Sequence, residues 1–154
     1  MRYLIFSLVL FLSVAAAHSQ SEYDYESKVF RKYLKSTFDI RLPETDTTIF
    51  YLLPATTCGG TGSPILPHLE EIATGNRHYA LLSRYFAEWN AEALKPYEAN
   101  DTRVKIDYAN TLDYLDIGCR NLTLVVCAGR EIIEIDTRVG YILGELYYWG
   151  AEGK

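Results

Sequence analysis

Three nucleophilic sulfurs, Cys58, Cys119 and Cys127, are the side chains of this sequence best suited to chemistry, and Cys58 has the setting of a thiol site. It lies in the loop Pro54-Ala55-Thr56-Thr57-Cys58-Gly59-Gly60-Thr61-Gly62, between a strand-like run at 47–53 and a helix-like run at 63–74. A helix N-terminus carries partial positive charge, so a strand that delivers a cysteine to the mouth of a helix favours the thiolate, the nucleophilic form. The free amides around Gly59 to Ser63 act in the same direction. The same residue also reads as a small buried side chain filling a loop, which is what many free cysteines are.

Other reactive groupings carry less. Gly59-Gly60-Thr61-Gly62-Ser63 lacks the Gly-Lys-Ser/Thr ending of a phosphate loop. His68 and His78 have no metal-type spacing and read as surface histidines, so no metal or cofactor is expected. Asp113, Asp116, Glu131 and Glu134 are spaced as solvated faces, not as a paired acid and base. Asn100-Asp101-Thr102 and Asn121-Leu122-Thr123 match glycosylation acceptors, which carry no meaning if the host is bacterial. Tyr147-Tyr148-Trp149 reads equally as an exposed binding patch or as core cover.

The elements that must position Cys58 are legible from periodicity. Over 22–38 the apolar Tyr25, Val29, Phe30, Tyr33, Leu34 and Phe38 recur at helical spacing. A linker with Pro43 leads into the strand at 47–53. In the helix-like run after Cys58, Ser63 can cap and Pro64 can take the first helical position, but Pro67 delays the regular helix; Gly75 ends it. A strand at 79–82 follows, then a helix over 86–94 expected to turn Phe86, Trp89, Ala93 and Leu94 inward. A strand at 103–108, a short helix at 111–115 and a stop at Gly118 come next. The strand at 122–127 turns at Ala128-Gly129 into a second arm at 131–135, and a helix over 139–149 closes the series.

With 154 residues and 49% hydrophobic content, one domain with one sizeable core is expected. A net charge of -5 and no Lys/Arg cluster along the chain argue against nucleic acid as a partner. Residues 1–17 have the form of a secretory signal: Arg2, an apolar stretch from Leu4 to Leu12 broken only by Ser7, and an Ala-x-Ala end at Ala15 and Ala17. The apolar stretch is far shorter than the roughly 20 residues that span a bilayer. The chain is therefore expected to be exported, periplasmic or extracellular, with no integral membrane segment after cleavage and with disulfides permitted.

Strands alternating with helices imply a parallel sheet covered on both faces, and the closing hairpin adds an antiparallel edge. That order, with Ile49-Phe50-Tyr51-Leu52-Leu53-Pro54-Ala55-Thr56-Thr57-Cys58, Val104-Lys105-Ile106-Asp107 and the run 122–135, resembles the thioredoxin-like fold, and within it exported bacterial thiol-disulfide oxidoreductase-like proteins. The resemblance implies an α/β three-layer sandwich with a mixed sheet over 45–150, preceded by an N-terminal helix and linker at 18–44. It also implies a protein or peptide thiol or disulfide as partner, met by Cys58 and by the residues around it: Thr57, Gly59, Gly60, Thr61 and Asn121.

The sequence departs from that family at two positions. Thr61 stands where the second cysteine of Cys-x-x-Cys would resolve a mixed disulfide, which a hydroxyl cannot do. Asn121 stands where the family places a cis-proline, so a trans bond and an altered groove are expected. Cys119 lies two residues before Asn121, on the loop that in the resembled fold faces the first site cysteine. The resemblance thus implies that Cys58 and Cys119 come close enough for a disulfide, as clamp or as replacement redox pair; closing that loop contributes roughly 4 kcal/mol in the chain-entropy picture. Cys127 is expected to be a free, partly buried thiol at a strand end, since an extended strand holds it away from Cys119. Thiol-disulfide exchange through Cys58, resolved by an external thiol or by Cys119, and non-catalytic holding of a peptide or partner in the same cleft both follow from the likeness.

Overall fold

The computed structural model describes residues 22–55, 65–97, 103–117 and 122–137. The calls on 1–21, on Thr57 to Thr61 with Cys58, on Cys119 and Asn121, and on the closing helix at 139–149 lie outside these residues.

Helix α1 (Asp24–Phe38) has acidic residues in its first turn and Lys35 in its last, the arrangement that complements the helix dipole. It stops because Asp39 turns left-handed, at φ 53° and ψ 27°, and donates its N–H to Lys35 O at 3.1 Å while Ile40 N–H reaches Leu34 O at 3.1 Å. Strand β1 (Thr47–Leu53) follows. Pro67 delays the next helix as expected: a 3-10 turn, Leu66–His68, leads into the regular helix α2 (Leu69–Thr74). Gly75 ends α2 in an extended conformation, at φ -69° and ψ 145°.

Strand β2 (His78–Ser83) runs straight into α3 (Arg84–Trp89), capped by Ser83 Oγ, which accepts from Phe86 N–H. The helix expected over 86–94 is divided at Asn90, whose Nδ2 donates to Phe86 O at 2.9 Å; α4 (Ala91–Leu94) continues beyond it. That break shifts the buried face to Phe86, Ala87, Asn90 and Leu94. The inward placement of Trp89 and Ala93 is accordingly wrong: Trp89 is 66% exposed and Ala93 is exposed. A 3-10 turn at Lys95–Tyr97, strand β3 (Val104–Asp107), a 3-10 turn at Thr111–Tyr114, β4 (Thr123–Ala128) and β5 (Glu131–Asp136) complete the described elements.

The five strands form one mixed sheet in the order β3-β2-β1-β4-β5. β1 pairs parallel with β2, and β2 with β3; β4 is antiparallel to both β1 and β5. The turn between β4 and β5 falls one residue later than expected, on Gly129-Arg130, because Gly129 takes the left-handed position at φ 59° and Ala128 is still paired with Glu131.

Period-two alternation divides the core between the two faces of the sheet. On one face Phe30, Tyr33 and Leu34 of α1 cover Phe50, Leu52, Leu81, Val125, Cys127 and Ile132. On the other, Leu69 and Ile72 of α2, Phe86 of α3 and Leu94 of α4 cover Leu53, Ala80, Leu82 and Val104. α1 is also locked by a hydrogen bond and a ring contact: Ser27 Oγ accepts from Ile132 N–H of β5 at 2.8 Å, and the ring of Phe30 meets that of Phe50 edge-on at 5.1 Å.

Candidate functional site

β1 lies in the middle of the sheet, with a parallel neighbour on one side and an antiparallel one on the other. Its carboxyl end meets the end of β2, with Leu53 opposite Leu82, and the start of β4, with Leu52 opposite Thr123. The chain leaves this end through Leu53, Pro54 and Ala55 and continues toward Cys58.

The segment after β3 folds back along the carboxyl ends of the parallel strands and ties them together. Asp113 Oδ1 accepts the N–H of Ala55 at 2.7 Å, fixing the exit of β1. Asn110, itself left-handed at φ 54°, offers Oδ1 to the N–H of Arg84 at 2.9 Å, fixing the exit of β2. The fully buried carboxylate of Asp107 accepts from Leu112 N–H at 2.7 Å, Ala109 N–H at 3.1 Å and Tyr33 O–H at 3.1 Å, which joins the end of β3 to α1. The sequence places Asp107 at the end of a strand without showing its bonds, and Asp113, expected as a solvated carboxylate, is instead the acceptor for the residue that leads out of β1. The only sequence signal for this rim is the clustering of Asp107, Asn110 and Asp113 straight after an apolar strand, a pattern that ordinary turns share.

Three of the residues that border the two cysteine segments converge, while Ile117, just before the second, packs on the α1 side. Leu52 pairs with Thr123 across β1 and β4, so the exit of β1 and the entry of β4 lie at the same end of two adjacent strands. Leu53 and Ile65, which bracket the Cys58 segment, pack in one buried cluster with Leu122, which follows the Cys119 segment. The regular turns of α2 begin eleven residues after Cys58.

Cys127 is a free thiol, fully buried on the α1 face of the sheet, not partly buried as expected from its place near the strand end. Burial, with the Glu131 carboxylate adding to it, pushes the thiol up from 9.0 to about 12. It is inert at neutral pH.

A second cluster lies where α2 crosses β1 and β2. The ring of Tyr51 stacks against that of His78 with centroids 6.1 Å apart, and its hydroxyl lies 3.5 Å from His78 Nδ1. Burial and the nearby Glu71 carboxylate raise the Tyr51 hydroxyl above its ordinary range. Among the described residues no group of three or more His, Cys, Asp or Glu side chains is placed to hold a metal ion, and no helix is long and apolar enough to cross a membrane.

Comparison of the chain with protein-family models, with curated proteins and with solved structures gives no match.

Proposed function

We propose that this chain is an exported protein of thioredoxin-like fold that performs thiol-disulfide exchange through Cys58, with Cys119 as the resolving thiol. The observation that carries the reading is the sheet order β3-β2-β1-β4-β5 combined with the pairing of Leu52 to Thr123. A central strand that ends in the first cysteine loop, two parallel neighbours to one side, and an antiparallel hairpin to the other are the layout that the thioredoxin-like reading requires. The common packing of Leu53, Ile65 and Leu122 supports bringing the two cysteine segments together.

In the proposed reaction the Cys58 thiolate attacks a substrate disulfide, forms a mixed disulfide and expels one substrate thiolate. Cys119, as thiolate, then attacks the Cys58 sulfur and releases the second substrate thiolate, leaving a bond between Cys58 and Cys119. An external dithiol reduces that bond and is itself oxidised. Thr61 takes no part in resolution.

The test is catalysed reduction of insulin by dithiothreitol. The full chain should exceed the uncatalysed rate, Cys58→Ser should fall to background, and Cys119→Ser should accumulate the mixed disulfide. Equal rates for the unsubstituted chain and Cys58→Ser would remove the enzymatic reading and leave a module that only holds peptides.

A further inference from the structure

At the other end of β1 from the proposed thiol site, the sharp stop of α1 creates a basic cleft. The left-handed Asp39 sends the chain back through Ile40, Arg41 and Leu42, and a cavity of about 380 Å³ opens between this strap, α1 and the β4–β5 turn. Its lining is Arg31, Lys35, Ile40, Arg41, Leu42 and Arg130. A neighbouring cleft of about 330 Å³ shares Ile40 and Arg41 and adds Arg103 and Lys105.

Several of these cations are held in place. Arg130 Nη2 lies 2.8 Å from Glu44 Oε1, Arg31 Nη1 lies 3.3 Å from Glu131 Oε1, and the Arg103 guanidinium sits 5.2 Å from the centre of the Tyr79 ring. Lys35 and Arg41 carry no salt bridge among the described residues, and both are exposed. The two clefts thus gather six cations, with Asp39, Glu44 and Glu131 as the carboxylates beside them, in a chain whose net charge is -5. Favourable placement near the end of α1 accounts for Lys35. It does not account for Arg41, Arg103 and Arg130, which come from three other segments to the same place.

We propose that these joined clefts bind a multiply charged oxyanion of the phosphate or sulfate class, with Arg41 at the junction and Lys35 beside it in the larger cleft. Guanidinium forks match the paired oxygens of such groups, and the larger cleft has the volume of a small-ligand site. Ile40 and Leu42 give it an apolar floor, which suits a ligand whose charged group is attached to an apolar body. β1 spans seven residues, about 20 Å at roughly 3.3 Å per residue, so this site is separate from the rim that leads to Cys58 and does not depend on it.

The test uses the full chain and two probes, inorganic pyrophosphate followed through backbone amide chemical shifts, and sedimentation with vesicles of phosphatidylglycerol in phosphatidylcholine against phosphatidylcholine alone. Pyrophosphate should shift the amides of Lys35, Arg41, Leu42 and Arg130 saturably and less tightly as salt rises. The variant Lys35→Gln/Arg41→Gln should lose at least tenfold in affinity, while Lys28→Gln/Lys95→Gln, which removes the same charge elsewhere, should stay within twofold. Pyrophosphate binding without vesicle binding assigns a soluble ligand; vesicle binding lost in the Lys35→Gln/Arg41→Gln variant alone assigns a lipid headgroup. Equal losses in the two double variants, or no response of the cleft amides to either probe, would overturn the proposal.

Discussion

Replacing Asp107 tests whether the rim of the sheet is held by one buried carboxylate. Asp107→Ala takes the acceptor from the buried N–H of Leu112 and one partner from the Tyr33 hydroxyl; the N–H of Ala109, at an exposed residue, can turn to water. An orphaned buried donor costs about 1–3 kcal/mol and bonds to a charged acceptor lie at the upper end, so the two losses sum to about 3–5 kcal/mol. Asp107→Asn should be milder, about 1–2 kcal/mol, because one amide oxygen can serve both Leu112 and Tyr33 while the amide nitrogen faces only Ala109. Urea unfolding of the two variants, of Tyr33→Phe and of the Asp107→Ala/Tyr33→Phe double variant supplies the numbers, with the denaturant slope watched for change. The structure requires a coupling energy of about 1 kcal/mol or more between positions 33 and 107. A loss below about 1 kcal/mol in Asp107→Ala, or strictly additive single losses, would refute the claim that this contact joins α1 to the rim.

Further outcomes follow from single residues. In a Cys58→Ser/Cys119→Ser variant the remaining Cys127 should ignore disulfide reagents at pH 8 and react fully in denaturant; comparable rates in both would contradict its burial. Because the folded chain keeps a Cys127 proton that the unfolded chain releases near 9.0, its contribution to stability is complete below pH 9. It is lost as pH climbs toward 12, by up to about 4 kcal/mol; Cys127→Ala should flatten that part of the pH profile, and an unchanged profile would argue against it. Gly129→Ala should cost about 2–4 kcal/mol by urea unfolding, since a side chain would be forced left-handed with its Cβ pressed against the backbone oxygen of Glu44, whereas a cost under about 1 kcal/mol would mean the turn relaxes freely. Asp113→Ala should speed hydrogen exchange at the Ala55 amide while moving overall stability by only about 1 kcal/mol; unchanged exchange would mean that the bond does not hold the exit of β1.

The parts of the fold that were legible in the sequence are those set by short-range patterning. Thr47–Leu53 alternates so that Phe50 faces α1 and Leu53 faces α2, and its place beside a parallel β2 follows from the helix between the two strands. What escaped is set by individual side-chain bonds and by distant residues. The phase of α3 depends on Asn90 bonding back to Phe86 O, and hydrophobicity alone favoured turning Trp89 inward. The roles of Asp107 and Asp113 depend on partners 74 and 58 positions away, and no local period reports such contacts. The basic cleft was equally hidden, because its cations are scattered along the chain as Arg31, Lys35, Arg41 and Arg130 and meet only after Asp39 turns the strap.

The thiol-exchange account is tested most directly by oxidising the full chain with diamide and mapping its disulfides by mass spectrometry of non-reduced peptides. The account predicts one intramolecular link, between Cys58 and Cys119, with Cys127 recovered as a thiol. Recovery of Cys58 as an unmodified thiol, or linked only between separate chains, would contradict it.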